Sequence, residues 1–255
     1  LQELGVVWTW FIGIAVLMNL IIVYGIHFIG FKKGMGILFV ITGLGLLSTM
    51  NFGYQSGLDV LEADSFLNLK EKNIGVVVNH TSINTKGEHL IELAHSAGIN
   101  ISAVFSPEHG FKGIYEAGEK LIDGVEPLTG APIFSLYGKT KKPSQKMLNG
   151  LDVLVFDIQD IGVRYYTYIS TLTMVMESAI EKGIPVWVLD RLNPLERDIN
   201  GPVLDSAFTS FVGLHPIPIR HGMTMGELAT MINEEGWLPS GMKANLKVIL
   251  YKGKP

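Results

Sequence analysis

The sequence has 255 residues, a formal net charge of −4 and no cysteine. This length is sufficient for one or two domains with a buried core. The negative charge gives no indication of nucleic-acid binding, and the lack of cysteine excludes disulfides, thiolate metal sites and a cysteine nucleophile. The mean hydropathy is positive, at +0.32, and the apolar excess is concentrated at the front of the chain.

The front of the chain has the composition of a membrane segment. Residues 4–31 contain no Asp, Glu, Lys or Arg, and as a helix they would span about 40 Å, more than the ~30 Å hydrocarbon core of a bilayer. Lys32 and Lys33 follow, and a second uncharged stretch then fits either a second membrane helix or a signal peptide that starts at Met35. The positive-inside rule puts the two lysines in the cytoplasm. We therefore expect a transmembrane or signal-like segment at 1–55 and an extracytoplasmic remainder, membrane-anchored or exported.

Short apolar runs alternate with amphipathic stretches in the rest of the chain. Their composition predicts strands within 74–79, 101–106, 151–160 and 184–191, with shorter ones within 132–138 and 245–253. Helical spacing of apolar residues predicts helices at 89–98 and 167–182. Continuous apolar strands separated by helices indicate an α/β fold, with a parallel sheet covered on both faces.

Polar side chains follow the predicted strands at the points where the strands end. They are Asn79 after the first strand, Glu108 and His109 after the second, Asp157, Gln159 and Asp160 after the third, and Asp190, Arg191 and Asn193 after the fourth. In open α/β sheets, ligands bind in the crevice beyond the carboxyl ends of the strands. Acids, amides and an arginine at four strand ends therefore predict a ligand-binding or catalytic site.

Glu108 and Asp157 are the leading candidate carboxylates. Hydrolysis of a glycosidic bond needs a proton donor at the leaving oxygen and a second carboxylate as base, nucleophile or charge stabiliser. His109, beside Glu108, would tune the carboxyl group or hold the sugar. In the alternative, Ser106 and Pro107 begin a helix, and Glu108 only complements the helix dipole.

Structural roles compete with functional ones at several other acids. Asp160 either contributes to the site or pairs with Arg164, and Asp190 and Arg191 either bind a ligand or form an internal ion pair. Glu227 fits the spacing of a capping box at the start of the helix that follows, and we interpret it as structural.

Two further segments carry candidate binding residues. In the first, Arg164 could grip a carboxylate and Tyr166 could stack on a sugar ring, whereas Tyr165 and Tyr168 are expected to pack into the core. In the second, Arg220 and His221 precede a predicted helix N-terminus and form a candidate anion site. No histidine pair has a metal-binding spacing, and no dinucleotide or P-loop motif occurs, so we predict neither metal nor cofactor.

The motifs together resemble those of a known family. They include VVVNHTS, FSPEHGFKG, SLYGKTKKPS, LDVLVFDIQDIGVRYYTYIST, VLDRLNP and SFVGLHPIPIRHGMTMGELA. In this order they are similar to the exo-β-N-acetylmuramidases of peptidoglycan recycling, the NamZ-type family. The chain departs from the family pattern at Leu192 and in the loop 195–200, and the family is longer at its carboxyl end.

The resemblance implies a fold, an activity and a set of roles. It implies a Rossmann-like α/β domain, here at 56–205, and a smaller β-rich C-terminal domain that would begin within 206–255. The activity would be release of N-acetylmuramic acid from the non-reducing end of peptidoglycan fragments, with Glu108 as the catalytic acid. The cleft would be lined by Asp157, Gln159, Asp160, Asp190, Arg191 and Asn193. A non-catalytic module that binds cell-wall sugars is the alternative.

Overall fold

The structure of the protein is a computed structural model that describes residues 53–108, 110, 124–138 and 140–253. The membrane or signal segment predicted at 1–55 lies outside this description except for its last three residues. None of the helices in the described ranges is long and apolar enough to span a bilayer.

The described residues form strands and helices in alternation. The strands are β1 (Asn73–Val78), β2 (Asn100–Ser106), β3 (Gly124–Val125), β4 (Pro132–Ser135), β5 (Val153–Asp157), β6 (Val186–Leu189), β7 (Ile199–Asn200), β8 (Arg220–His221) and β9 (Leu246–Ile249). The α-helices are α1 (Gly57–Ala63), α2 (Leu90–Ser96), α3 (Tyr168–Lys182) and α4 (Met225–Glu234), and 3₁₀ turns occur at Leu67–Leu69, Ser206–Phe208 and Pro239–Gly241.

Seven of these strands form one sheet in the order β3-β4-β2-β1-β5-β6-β9. Every neighbouring pair is parallel except β3 and β4. The chain runs from β1 outward through β2 to β4, then returns to β5 and runs outward in the other direction through β6 to β9. This is the doubly wound order, with its switch point between β1 and β5. The predicted α/β class with a mostly parallel sheet is confirmed.

Apolar side chains on both faces of the central strands explain why helices pack on both faces of this sheet. Val76 of β1 pairs with Val155 of β5, and their side chains belong to a core shared with α1 and α2. The next pair, Val77 and Phe156, points to the other face and packs with α3 and α4. Because successive residues alternate between faces, a strand buried on both sides has the continuous apolar sequence seen in β5.

The capping residue predicted for α4 is confirmed. The Thr224 side chain accepts a hydrogen bond from the Glu227 N–H, and the Glu227 carboxylate accepts from the Thr224 N–H at 2.9 Å. The helix α3 is capped at its C-terminus by Gly183, whose φ of 77° lies in the left-handed region that glycine adopts without strain.

Residues that the sequence analysis assigned to a second domain contribute to this same sheet. β9 pairs in parallel with β6, with Val248 opposite Val188. α4 packs beside these strands so closely that a Cβ on Gly226 would overlap Val248 and the Asp190 carboxyl group. Leu246 and Ile249 of β9 pack, partly buried, against the two apolar clusters of the α/β core, and the extent of a second domain stays a prediction.

Candidate active site

The carboxyl ends of β1, β2, β5 and β6 meet along one edge of the sheet, as the parallel pairing requires. After β2 the chain makes a turn in which the Gly110 N–H donates to the Pro107 carbonyl at 3.1 Å. Gly110 has a φ of 75°, which favours glycine. A turn, rather than a continuation of β2, therefore presents Glu108 at this edge. His109 lies outside the described residues.

Glu108 is held by the first two residues of the α3 segment. Its Oε2 accepts a hydrogen bond from the Thr167 hydroxyl at 2.7 Å, and its backbone carbonyl faces the Tyr168 hydroxyl at 3.4 Å. The Asn79 side-chain amide donates to that Tyr168 hydroxyl at 2.9 Å. The side chain of Glu108 is half-buried, so its carboxyl group is anchored on one side and partly open to solvent.

The turn after β1 joins the two sides of the switch point. Asn79 Oδ1 accepts from the Thr81 N–H at 2.8 Å and from its hydroxyl at 2.6 Å. Thr81 Oγ1 in turn accepts from the Gln159 N–H at 3.0 Å, and the Ser82 hydroxyl donates to the Asp157 carbonyl. These bonds fix the β1 and β5 loops against each other and set the orientation of the Asn79 amide.

Asp157 is fully buried and forms a bidentate ion pair. Arg191 Nε lies 2.6 Å from Oδ1 and Nη2 lies 2.9 Å from Oδ2. Burial raises the pKa of the Asp157 carboxyl, and the Arg191 guanidinium opposes that shift. Burial would lower the pKa of Arg191, but the Asp157 carboxylate outweighs it and raises the value. In this arrangement both oxygens of Asp157 are occupied, and its catalytic role stays a prediction.

Two amide side chains hold the loops after β5 and β6 together. The Gln159 amide donates to the carbonyls of Asp160, at 2.7 Å, and Leu192, at 2.9 Å. Asn193 donates to the Met223 carbonyl at 3.0 Å, and its Oδ1 lies where a Cβ on Gly162 would have to be. The structure thus brings Gln159 and Asn193 to the crevice, where both bond backbone groups.

Asp160 lies beside His221 rather than Arg164. One carboxylate oxygen, Oδ2, accepts from the Gly162 N–H at 2.6 Å and lies 3.4 Å from His221 Nε2. His221 Nδ1 accepts from the Met223 N–H at 3.3 Å, so the ring hydrogen belongs on Nε2, facing the carboxylate. Among the described residues, Asp160 Oδ1 is a buried oxygen without a hydrogen-bond partner.

Asp190 anchors the start of α4. It accepts from the Gly226 N–H at 2.8 Å and from the Thr224 hydroxyl at 3.0 Å. Burial raises the pKa of its carboxyl, and these two donors oppose the shift. Asp190 and Arg191 are therefore not paired with each other, since each binds a different partner.

Of the remaining candidates, two arginines bind groups outside the loops described so far, and Tyr166 packs at the start of α3. Arg164 donates to the carbonyls of Pro202 and Ile217 at 2.8 and 2.6 Å, and Arg220 pairs with Asp198 at 2.5 Å on a partly exposed surface. The Tyr166 ring packs edge-on against the ring of Tyr168, with centroids 4.7 Å apart. The expected burial is confirmed for Tyr168 but is wrong for Tyr165, which is 59% exposed.

A cavity of about 430 Å³ and one of about 590 Å³ occur among the described residues, and the larger adjoins the crevice. Asn193, Arg197, Thr224 and Tyr251 contribute to its lining. In the described part of the chain, no group of three or more histidine and acidic side chains could hold a metal ion.

Sequence reasoning missed the contribution of Thr167 and assigned Tyr168 only to the core. A threonine before an amphipathic helix predicts an N-cap, whose hydroxyl normally accepts from the helix's own N–H groups. Thr167 is the N-cap residue of α3, but its side chain makes no such bond. The contact with Glu108 joins residues 59 positions apart, so it could not be predicted from patterns in the neighbouring sequence.

Comparisons with known proteins agree with the resemblance seen in the motifs. The family described as "Exo-beta-N-acetylmuramidase NamZ, N-terminal" matches residues 74–254. The chain is 47% identical over 200 residues to the peptidoglycan β-N-acetylmuramidase NamZ of Bacillus subtilis, covering 78% of this chain and 47% of that protein.

Two crystal structures of DUF1343 family proteins from Bacteroides fragilis have the same fold. They are 40% and 39% identical to this chain, with TM-scores of 0.72 and 0.69. Each match covers 78% of this chain and 50% or 52% of the other. The chain thus spans about half the length of the relatives that it matches.

Proposed function

Because the chain belongs to the exo-β-N-acetylmuramidase NamZ family, we propose that it is a glycoside hydrolase that releases N-acetylmuramic acid from the non-reducing end of peptidoglycan fragments. The observation that carries this proposal is the setting of Glu108. It lies at the carboxyl edge of a doubly wound sheet, half-buried, with its main chain and its side chain both held by α3.

In the proposed reaction Glu108 is the general acid. Its carboxyl proton moves to the glycosidic oxygen as the bond between that oxygen and the anomeric carbon breaks. Water then supplies a hydroxyl group to the anomeric carbon, and the proton that the water loses restores the Glu108 carboxyl group, so that the products are free N-acetylmuramic acid and the shortened glycan.

The other strand-end groups support this role by fixing the crevice. Asp157 and Arg191 tie the ends of β5 and β6 together, and Asp190 ties β6 to α4. We propose that Asn79, Gln159 and Asn193 shape the sugar site from the loops that they hold. Tyr251 and Asn193, which line the 590 Å³ cavity, offer an aromatic face and an amide of the kinds that bind sugars.

A second candidate function, binding of cell-wall sugars without turnover, is favoured by one observation. Asp157, the second candidate carboxylate, is occupied by Arg191 and has no exposed area. Incubating the full-length protein with the disaccharide MurNAc-β-1,4-GlcNAc separates the two. Release of free N-acetylmuramic acid supports the hydrolase, whereas binding without release supports the module. The disaccharide with GlcNAc at the non-reducing end is the matched control and should not be cleaved.

We propose an extracytoplasmic location, with 1–55 as membrane anchor or export signal. The uncharged residues 4–31 and the lysines that follow them support this orientation. Fusions at residue 60 test it: alkaline phosphatase should be active there and a cytoplasmic reporter inactive. The reverse pattern would contradict the proposal.

A further inference from the structure

We propose that Thr167 is the positioning residue for the Glu108 carboxyl group, holding Oε2 so that Oε1 presents the proton to the glycosidic oxygen. This inference rests on the proposed function, since it assigns a role within that reaction. It is carried by the 2.7 Å hydrogen bond from the Thr167 hydroxyl to Oε2.

The first support is that the Thr167 hydroxyl does not cap α3, which is the usual role of a threonine at this position. Thr167 is the N-cap residue of α3, with helical φ and ψ of −69° and −8°, and its side chain accepts nothing from the first turn. An N-cap bond stabilises a helix by roughly 1 kcal/mol, and α3 forgoes it. The hydroxyl instead crosses to Glu108, which a purely helix-capping threonine would not do.

The second support is that the next residue holds the main chain of the same glutamate. The Tyr168 hydroxyl faces the Glu108 carbonyl at 3.4 Å and accepts from Asn79 at 2.9 Å. Tyr168 is buried to 2% exposure, so its ring is fixed within the core. The start of α3 therefore restrains Glu108 at two points, the backbone through Tyr168 and the carboxyl through Thr167.

The third support is the direction of the hydrogen bond. A threonine hydroxyl that donates to one carboxyl oxygen makes that oxygen the acceptor, which favours the acid proton on the other oxygen. In the proposed arrangement Oε2 is the acceptor, and Oε1 is the oxygen that loses its proton to the leaving group. With Thr167 only 9% exposed, water does not readily replace its hydroxyl.

The test compares Thr167→Val, Thr167→Ser and Thr171→Val in the full-length protein. Valine keeps the shape of threonine but cannot donate, and serine restores the hydroxyl. Thr171 is the matched control, because it is also buried, lies one turn along α3, and donates to the Thr167 carbonyl rather than to Glu108. We expect Thr167→Val to lower kcat on MurNAc-β-1,4-GlcNAc by about 10- to 100-fold, the scale expected for a displaced catalytic group.

The leaving group distinguishes positioning of the acid from a general structural defect. A nitrophenyl muramide needs little protonation, so Thr167→Val should reduce its turnover much less than that of the disaccharide. Thr167→Ser should restore both, and Thr171→Val should reduce neither. Equal losses on the two substrates, or no loss, would overturn the inference while leaving the proposed function intact.

Crystal structures of the wild type and of Thr167→Val test, independently of turnover, whether the Thr167 hydroxyl positions the Glu108 carboxyl group. We expect the Glu108 carboxyl group to change orientation in the variant, and an unchanged carboxyl position would overturn the inference. A wild type that releases no N-acetylmuramic acid would instead overturn the proposed function, so the two failures have different signatures.

Discussion

Two carboxylates at the same edge of the sheet have opposite environments. Glu108 follows β2, is half-buried and, among the described residues, accepts a side-chain hydrogen bond from Thr167. Asp157 ends β5, has no exposed area and has both oxygens bound by Arg191. Each occupies the strand-end position where ligands bind in doubly wound sheets, but within the described residues Asp157 has no exposed area, whereas Glu108 is partly exposed.

The difference shows that position at a strand end is not by itself a functional assignment. A carboxylate whose every oxygen is bound by a buried cation stabilises the loops around it, whereas a carboxylate with a free oxygen can exchange a proton with a ligand. We therefore expect substitutions of Asp157 and Arg191 to affect folding, and substitutions of Glu108 and Thr167 to affect turnover.

The largest effect on stability is expected from Asp157→Asn. The change leaves the Arg191 charge buried without a counter-charge, which typically costs about 3–5 kcal/mol of unfolding free energy. Asp198→Asn is the matched control, because it breaks an Asp–Arg pair of similar length, 2.5 Å, that is partly exposed and should cost less than about 1 kcal/mol. Denaturant unfolding measures both, and equal small losses would contradict the distinction drawn here.

Burial also shifts the pKa of a titratable group outside the crevice, the His215 imidazole. His215 is stacked on Trp237 with centroids 5.0 Å apart, and its Nε2 lies 2.7 Å from the Thr173 hydroxyl. Burial lowers the pKa of His215 to about 4. Between pH 6.5 and 4 the unfolded chain therefore binds a proton that the folded protein does not, and stability falls as the pH falls.

The expected loss from His215 is at most about 3 kcal/mol across that range. It is measured as the difference in pH dependence between the wild type and His215→Gln, since other groups titrate in both proteins. The variant should lose less stability on acidification and should keep its turnover at neutral pH. Identical pH dependences would contradict the assignment of a buried neutral imidazole.

The smallest effect on stability is expected from Arg220→Lys, because Arg220 is partly exposed. Arg164, Arg191 and Arg220 are the candidates to contact the lactyl carboxylate of muramic acid. Arg164 binds two backbone carbonyls and Arg191 binds Asp157. Arg220 has a partly exposed carboxylate partner, which a substrate carboxylate can replace. We therefore expect Arg220→Lys to raise KM for muramides about tenfold and to leave glucosaminide binding unchanged, because lysine lacks the bidentate fork.

Lys243→Gln is the control for this prediction, since Lys243 is also an exposed cation paired with a carboxylate, that of Glu234, and does not line the 590 Å³ cavity. It should change neither KM value. Equal weakening of both sugars by Arg220→Lys would rule out a specific contact with the lactyl group.

Much of the fold followed from local patterns in the sequence. The apolar run of β5 predicts a strand buried on both faces, and the Thr224–Glu227 spacing predicts the α4 cap, because both depend on residues close in sequence. The place of β9 in the same sheet was not predicted, since its pairing with β6 joins residues about 60 positions apart in the chain and depends on tertiary packing.

The candidate site was predicted in its location but not in its internal contacts. The sequence places Glu108, Asp157 and Asp190 at strand ends, and the structure brings these ends to one edge of the sheet. The sequence does not indicate that Arg191 pairs with Asp157 rather than with Asp190. It also does not indicate that the Thr167 hydroxyl bonds to Glu108 rather than capping α3. Those choices depend on the direction of side chains from different loops, which local spacing leaves undetermined.

The most direct test of the account is the turnover of Glu108→Gln on MurNAc-β-1,4-GlcNAc and on a nitrophenyl muramide. Glutamine keeps the size of the side chain and its acceptor for Thr167 but cannot donate a catalytic proton. We predict a loss in kcat of about 10²–10⁴-fold on the disaccharide, a smaller loss on the nitrophenyl substrate, and a change in unfolding free energy below about 1 kcal/mol. A variant that cleaves the disaccharide at the wild-type rate would contradict the assignment of Glu108 as the acid.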